Sequence, residues 1–259
     1  MPMLSPVARE IARAGRRTVV AVLALSTISA FPALAQQNSV PIVRDAEIEA
    51  LVREYARPIL KAAGLSKSGI DIVLVNDDAF NAFVAGRRMF INTGALLMAE
   101  SPNEIIGVIA HEAGHLAGGH QERLRQQLET AQTMAIVATL LGIGATVAGA
   151  ATNSGGLAQA GTGIAIGGTE MARRGLLGYQ RSEETTADRS AIRYLDATGQ
   201  SALGMLKTFG RLQGALALSG VKINPYEVSH PLPRDRIANL EELARSSPHA
   251  DKKDSPTLQ

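Results

Sequence analysis

From Thr130 to Thr169 the chain carries no charged residue in 40 positions, and Ala, Gly, Thr and aliphatic side chains dominate the stretch. It separates two clusters of reactive side chains, His111 to His115 and Arg181 to Asp188. If those clusters meet, the stretch must return to the side on which it began. One bilayer crossing would part them. The run from Met134 to Ala151 is 18 residues, about 27 Å as a helix, but the return from Leu157 to Thr169 is shorter and glycine-rich. A helical hairpin over 130–169, a lid over a site or an element lying against a membrane surface, fits better than two spans.

The first cluster reads His111, Glu112, Ala113, Gly114, His115, an HExxH pattern. On a helix the two imidazoles lie one turn apart on one face, where both reach a single zinc ion. Glu112, turned about 100° from His111, lies beside the open coordination position and can take a proton from water there. The bland alternative is a chance pattern on a helix surface. Against it, Ser101 can cap the helix, Pro102 suits its first position and Glu104 completes a capping box. With no cysteine in the chain, disulfides and thiolate sites are excluded, so any metal rests on His and carboxylate.

The third ligand separates classes of such sites. One class requires His at position 121, which is Gln121. His120 misses by one and, on a continuing helix, points nearly opposite His111, which makes it a structural histidine or a support behind a ligand. The other class takes Glu from a downstream helix, and Arg181 to Asp188 offers Glu183 and Glu184. Glu184 and Asp188 stand one turn apart, so Glu184 can bind zinc while Asp188 accepts a hydrogen bond from a ligand imidazole. A solvated acidic helix face is the competing reading of that octet.

Elsewhere the pattern predicts a helix from Asp45 to Ala63, with Ile48, Leu51, Val52, Tyr55, Ile59 and Leu60 on its apolar face and Gly64 as its stop. A buried strand is expected over Ile70 to Val75 and a β-hairpin over Phe80 to Asn92 turning at Gly86 and Arg87. Helices are expected around Arg181 to Ala197 and Ala202 to Leu218, and a disordered polar tail over 246–259. The fold class is α+β, mostly helical, with a small sheet. Residues 1–35 read as a signal peptide: Arg9, Arg13, Arg16 and Arg17, an apolar stretch from Thr18 to Ala30, then a cleavage site ending at Ala35. Export to the periplasm is the expectation, with an uncleaved leader anchored in the inner membrane as the alternative. That leader holds four of the 26 basic residues and one of the 24 acidic ones, leaving 22 against 23 and a net charge of −1. Nothing so near neutral points to nucleic acid.

HEAGH, then RSEETTAD, then His230 and Pro231 with Arg236, resembles the HtpX- and BepA-type zinc metallopeptidases of the gluzincin clan, relatives of the CAAX prenyl protease. The resemblance also takes in Asn81, Ala82 and Phe83 and spans roughly Asp45 to Leu243. It implies a zincin-like peptidase domain over 36–245, one zinc per chain held by His111, His115 and Glu184, and Asp188 supporting a ligand. It disfavours Glu183 as a ligand. It also matches His230 to a histidine that can approach the zinc and restrain activity, and Arg236 to an arginine associated with the active site. A swung-aside His230 could instead stabilise an oxyanion, and a plain loop histidine beside Pro231 and Pro233 is the alternative. Unfolded or extended envelope polypeptide is the implied substrate, taken as an added strand along an edge near Ala82 to Ala85. Two rivals remain: a latched zinc-fold chaperone, against which Glu112 argues because zinc binding does not need it, and a membrane-surface assembly factor using 130–169.

Overall fold

The computed structural model describes residues 40–219 and 229–254. The leader expected at 1–35 lies outside the described residues.

Helix α1 (Ala46–Ala62) begins where Asp45, in extended backbone, accepts the amide protons of Glu47 and Ile48 at 3.0 Å each. It buries Val52, Tyr55, Ala56 and Ile59. Ile48 and Leu51, expected on the same face, remain 37% and 42% exposed. They border an open groove shared with Leu96 and Ile105, so these first turns are only partly covered.

Strands β1 (Ile42–Val43), β2 (Asp71–Val75), β3 (Ala82–Ala85) and β4 (Arg88–Asn92) form one sheet in the order β1-β2-β4-β3. β2 and β4 run parallel with Asp71 opposite Arg88, while β3 and β4 are the arms of the expected hairpin. Its turn needs the left-handed backbone that Gly86 adopts at φ 59°. Among the described residues β3 pairs on one side only, which makes it an edge strand. Ile72 and Leu74 face the main core, and Val73, Val75 and Phe90 pack with Phe83 on the other face, where the Phe83 and Phe90 rings stack at 4.8 Å.

After a short α2 (Thr93–Met98), the central helix α3 (Pro102–Gly118) buries every residue from Asn103 to His115. Pro102 stands in its first turn as expected, but Ser101 makes no side-chain cap bond and the expected capping box is absent. The Glu104 side chain, only 1% exposed, turns inward to Arg211, Lys207 and Thr208 instead. A buried carboxylate gains more from paired cations than from one backbone amide.

Gly119, at φ 64°, ends α3 and starts α4 (His120–Ala151) in a new direction. A turn at Thr152 to Ser154 leads into α5 (Gly155–Ala197), followed by α6 (Leu203–Ser219) and α7 (Arg234–Ser246). α4 and α5 form a long antiparallel hairpin that contains the charge-free stretch. Its helices touch through small residues: a methyl group at Gly142 or Gly161 would lie 2.5 Å from the opposite glycine's carbonyl oxygen. The aliphatic side chains point outward instead. Ile136, Leu140, Leu141, Val147 and Ile166 are each about 60% exposed. By length and composition, α4 is long and apolar enough to cross a membrane.

Residues 246–254 correct the expected disordered tail over that span. Ser247 is buried, Ala250 accepts from Ser201 Oγ at 2.7 Å, and Asp254 accepts the Asn103 amide proton at 3.2 Å. Polar composition misled there because the segment is anchored by hydrogen bonds rather than by apolar burial. Residues 255–259 lie outside the described residues.

Candidate metal centre

Three helices and one loop build the centre. α3 presents His111 and His115, α5 presents Glu184 and Asp188, and His230 precedes α7, which carries Arg236. The close approach of α3 and α5 depends on the glycine inside HEAGH. A Cβ on Gly114 would stand 2.9 Å from the Ala187 carbonyl oxygen and 3.0 Å from its Cα. Absence of that Cβ lets Glu184 and Asp188 reach the histidines.

One ligand-capable atom from each of His111, His115, Glu184 and His230 lies within 4.8 Å of all the others, and all four residues are buried. His111 Nε2 stands 3.0 Å from His115 Nε2 and 3.3 Å from both His230 Nδ1 and Glu184 Oε2. Glu184 Oε1 is 3.4 Å from His115 Nε2 and 3.1 Å from His230 Nδ1. A tetrahedron with metal–ligand bonds of 2.0–2.1 Å has edges of about 3.3 Å, close to the His111, His115 and Glu184 separations, so these residues could hold a metal ion with His230 alongside. The donor set, imidazole and carboxylate, suits zinc. Both oxygens of Glu112 are buried without a hydrogen-bond partner among the described residues, and His230 Nε2 approaches Oε1 to 3.4 Å. A carboxylate placed so needs a water or a substrate proton.

The electrostatics follow from burial and pairing. Burial works hardest against a charged His111, yet hydrogen bonds and charge from Asp188 and Glu184 raise it to about 9. Burial lowers His115 and His230. It raises Glu112 to about 7, only partly offset by His115 and His111. Glu184 stays well below the usual carboxylate range: burial opposes this, but the charge of His230 and the hydrogen bonds of His111 and His115 prevail. Asp188 is also held low against its burial, chiefly by Arg236.

Asp188 lies 3.0 Å from His111 Nδ1 and receives a two-pronged clamp from Arg236, whose Nε and Nη2 donate at 2.7 and 2.8 Å. Arg236 Nη1 also stands 2.8 Å from Glu184 Oε2. Phe209 packs edge-on against His111 at 5.4 Å and beneath the Arg236 guanidinium at 5.3 Å.

His120 departs from its expected direction. The helix does not continue past Gly118, and the left-handed Gly119 folds the ring back so that its Nδ1 lies 2.9 Å from His115 Nδ1. Glu183 turns away from the centre, to His120 and Arg123. Sequence reasoning missed Arg123 and Tyr179, which complete that cluster; the paired Gly118 and Gly119 were the available signal for a helix end. A cavity of about 140 Å³ opens beside the centre, with Phe83, Val84, Leu124 and Tyr179 among its walls. Its walls are formed by residues outside 130–169.

An HExxH helix packed against a carboxylate-bearing helix, in an α+β fold with an edge strand at the cleft, defines a metallopeptidase. The chain belongs to peptidase family M48, which matches residues 42–244. It is similar to a Vibrio cholerae protein named "Putative beta-barrel assembly-enhancing protease", at 28% identity over 82% of this chain and 42% of that one. The beta-barrel assembly-enhancing proteases of Escherichia coli K12 and Shigella flexneri are each 25% identical over 80% of this chain and 41% of theirs. The chain thus spans about two fifths of the length of these relatives.

Proposed function

We propose that the protein is a zinc endopeptidase of the cell envelope that cleaves unfolded or misassembled polypeptide. One zinc per chain is held by His111, His115 and Glu184, and Asp188, clamped by Arg236, orients His111. The observation that carries this reading is the buried Glu112 carboxylate, with no hydrogen-bond partner among the described residues, beside four converging ligand atoms. A bound zinc ion supplies Lewis acidity and makes an adjacent water acidic enough to ionise near neutral pH. Glu112 takes the proton of the attacking water and returns it to the leaving amine. β3 borders the cleft through Phe83 and Val84, and its free edge offers backbone hydrogen bonds to an extended substrate. The leader reading supports export to the periplasm, and the relatives' name, beta-barrel assembly-enhancing protease, supports a role in β-barrel assembly.

His230 lies among the four residues that could hold the metal, and as a fourth protein ligand it would exclude the water that hydrolysis needs. On this reading His230 is a latch. With unfolded casein as substrate, zinc-loaded protein cleaves and chelator-treated protein does not. His230→Ala then cleaves faster than the parent at equal zinc loading. A fall of about 100-fold would make His230 an oxyanion donor instead.

The exposed apolar surface of the α4–α5 hairpin favours a second activity, contact with a membrane surface. Flotation with liposomes tests it.

A further inference from the structure

The outward ring nitrogen of His111 and that of His115 each face a buried side chain, and the two chains of groups behind them are built alike. On one side Arg236 clamps Asp188, and Asp188 meets His111 Nδ1 at 3.0 Å. On the other, Arg123 Nη2 donates to Glu183 Oε2 at 2.9 Å, that oxygen lies 2.7 Å from His120 Nε2, and His120 Nδ1 lies 2.9 Å from His115 Nδ1. We propose that His120 and Glu183 are positioning residues for the metal centre: Glu183 fixes the tautomer of His120, and His120 accepts the Nδ1 proton of His115, leaving His115 Nε2 free for the metal. The proposal rests on His115 being a ligand.

The assignment follows from which atoms face each other. Glu183 Oε2 lies 2.7 Å from His120 Nε2 without hydrogen-bond alignment, and its charge favours the neutral His120 that carries its proton on Nε2 over the one that turns a lone pair toward it. His120 Nδ1 then presents a lone pair, and the His115 Nδ1 opposite it must donate. The reverse assignment sets a lone pair against a carboxylate and puts a proton on the His115 nitrogen that faces His111 and Glu184. Ligand histidines are ordinarily oriented by a carboxylate, carbonyl or water on the far nitrogen, which also raises their basicity. Here a second imidazole, backed by a carboxylate and a guanidinium, takes that place.

The backbone is shaped for it. A Cβ on Gly118 would lie 2.2 Å from His120 Nε2, so the bare glycine leaves room for the ring, and Gly119 supplies the turn that directs it. Arg123 also donates to the Gly118 carbonyl and to Tyr179 Oη, which ties the start of α4 to α5 where the relay sits.

The test is the zinc dissociation constant, measured by chelator competition on the full chain, with the absorption spectrum of the cobalt-substituted protein as a second readout. His120→Leu should weaken zinc binding roughly 10 to 100 fold, as loss of a support behind a ligand does elsewhere, and shift the cobalt bands. His120→Asn, whose Oδ1 can stand where Nδ1 stood, should restore affinity to within about threefold and recover the spectrum, which a merely space-filling role would not require. Glu183→Gln should weaken binding several-fold. A wild-type constant in His120→Leu, or an Asn variant as weak as the Leu variant, overturns the proposal. If His120→Leu does not fold, an unchanged constant in Glu183→Gln overturns it. His115→Ala run alongside separates the two failures: if it also binds as tightly as wild type, the ligand assignment itself is wrong.

Discussion

The two ends of the α4–α5 hairpin invert the usual relation between polarity and burial. At its root, His120, Glu183, Glu184 and Asp188 are packed among charged and polar neighbours, and the last two are no more than 5% exposed. Toward its tip, Leu140, Leu141 and Ile166 are more than 60% exposed, with no charge nearby in sequence. Buried polar groups persist where each meets a partner, and the root supplies one for nearly all of them. Glu112, on α3 beside this root, has neither oxygen hydrogen-bonded among the described residues, and His111 Nδ1 and His120 Nε2 meet carboxylates only at charge-pair distance. The tip shows the converse, an apolar surface that calls for a partner outside the chain.

Three changes sharpen or break this contrast, in descending order of effect. Glu112→Gln should lower casein cleavage by about 10² to 10⁴ fold with the fold intact, because the amide cannot accept a proton near neutral pH. Activity close to that of the parent would remove Glu112 from the reaction. Arg236→Ala should destabilise the protein by about 3–5 kcal/mol in denaturant unfolding, since it strands two buried carboxylates; a loss under 1 kcal/mol would mean that water already solvates the pair. Leu140→Ser with Leu141→Ser should shift stability by no more than about 0.5 kcal/mol each, as for other exposed sites, while abolishing liposome flotation. Flotation unaffected by the pair would dismiss the membrane reading.

The legible parts of the sequence were those whose geometry is local. HExxH and the Glu184 and Asp188 pair are one-turn spacings, and a helix converts such spacing directly into a shared face. The Gly86 hairpin is equally local. His120 was misdirected because its position turns on one backbone angle at Gly119 rather than on helical period. Helical period placed Ile48 and Leu51 on the buried face of α1 but could not tell how far neighbouring elements would cover it. Glu104 looked like a capping residue because the sequence does not show that Arg211 will stand beside it, 107 positions later. The approach of His230 to His111, across 119 positions, came from resemblance and not from spacing.

On the proposed reading, α3 and α5 come together to hold one metal ion through His111, His115 and Glu184. Metal analysis after equilibrium dialysis against limiting zinc tests it most directly, comparing the parent with Glu184→Ala. The parent chain should bind one zinc, and Glu184→Ala should be nearly empty while remaining folded by circular dichroism. Full zinc occupancy in folded Glu184→Ala would contradict it and move the third ligand elsewhere.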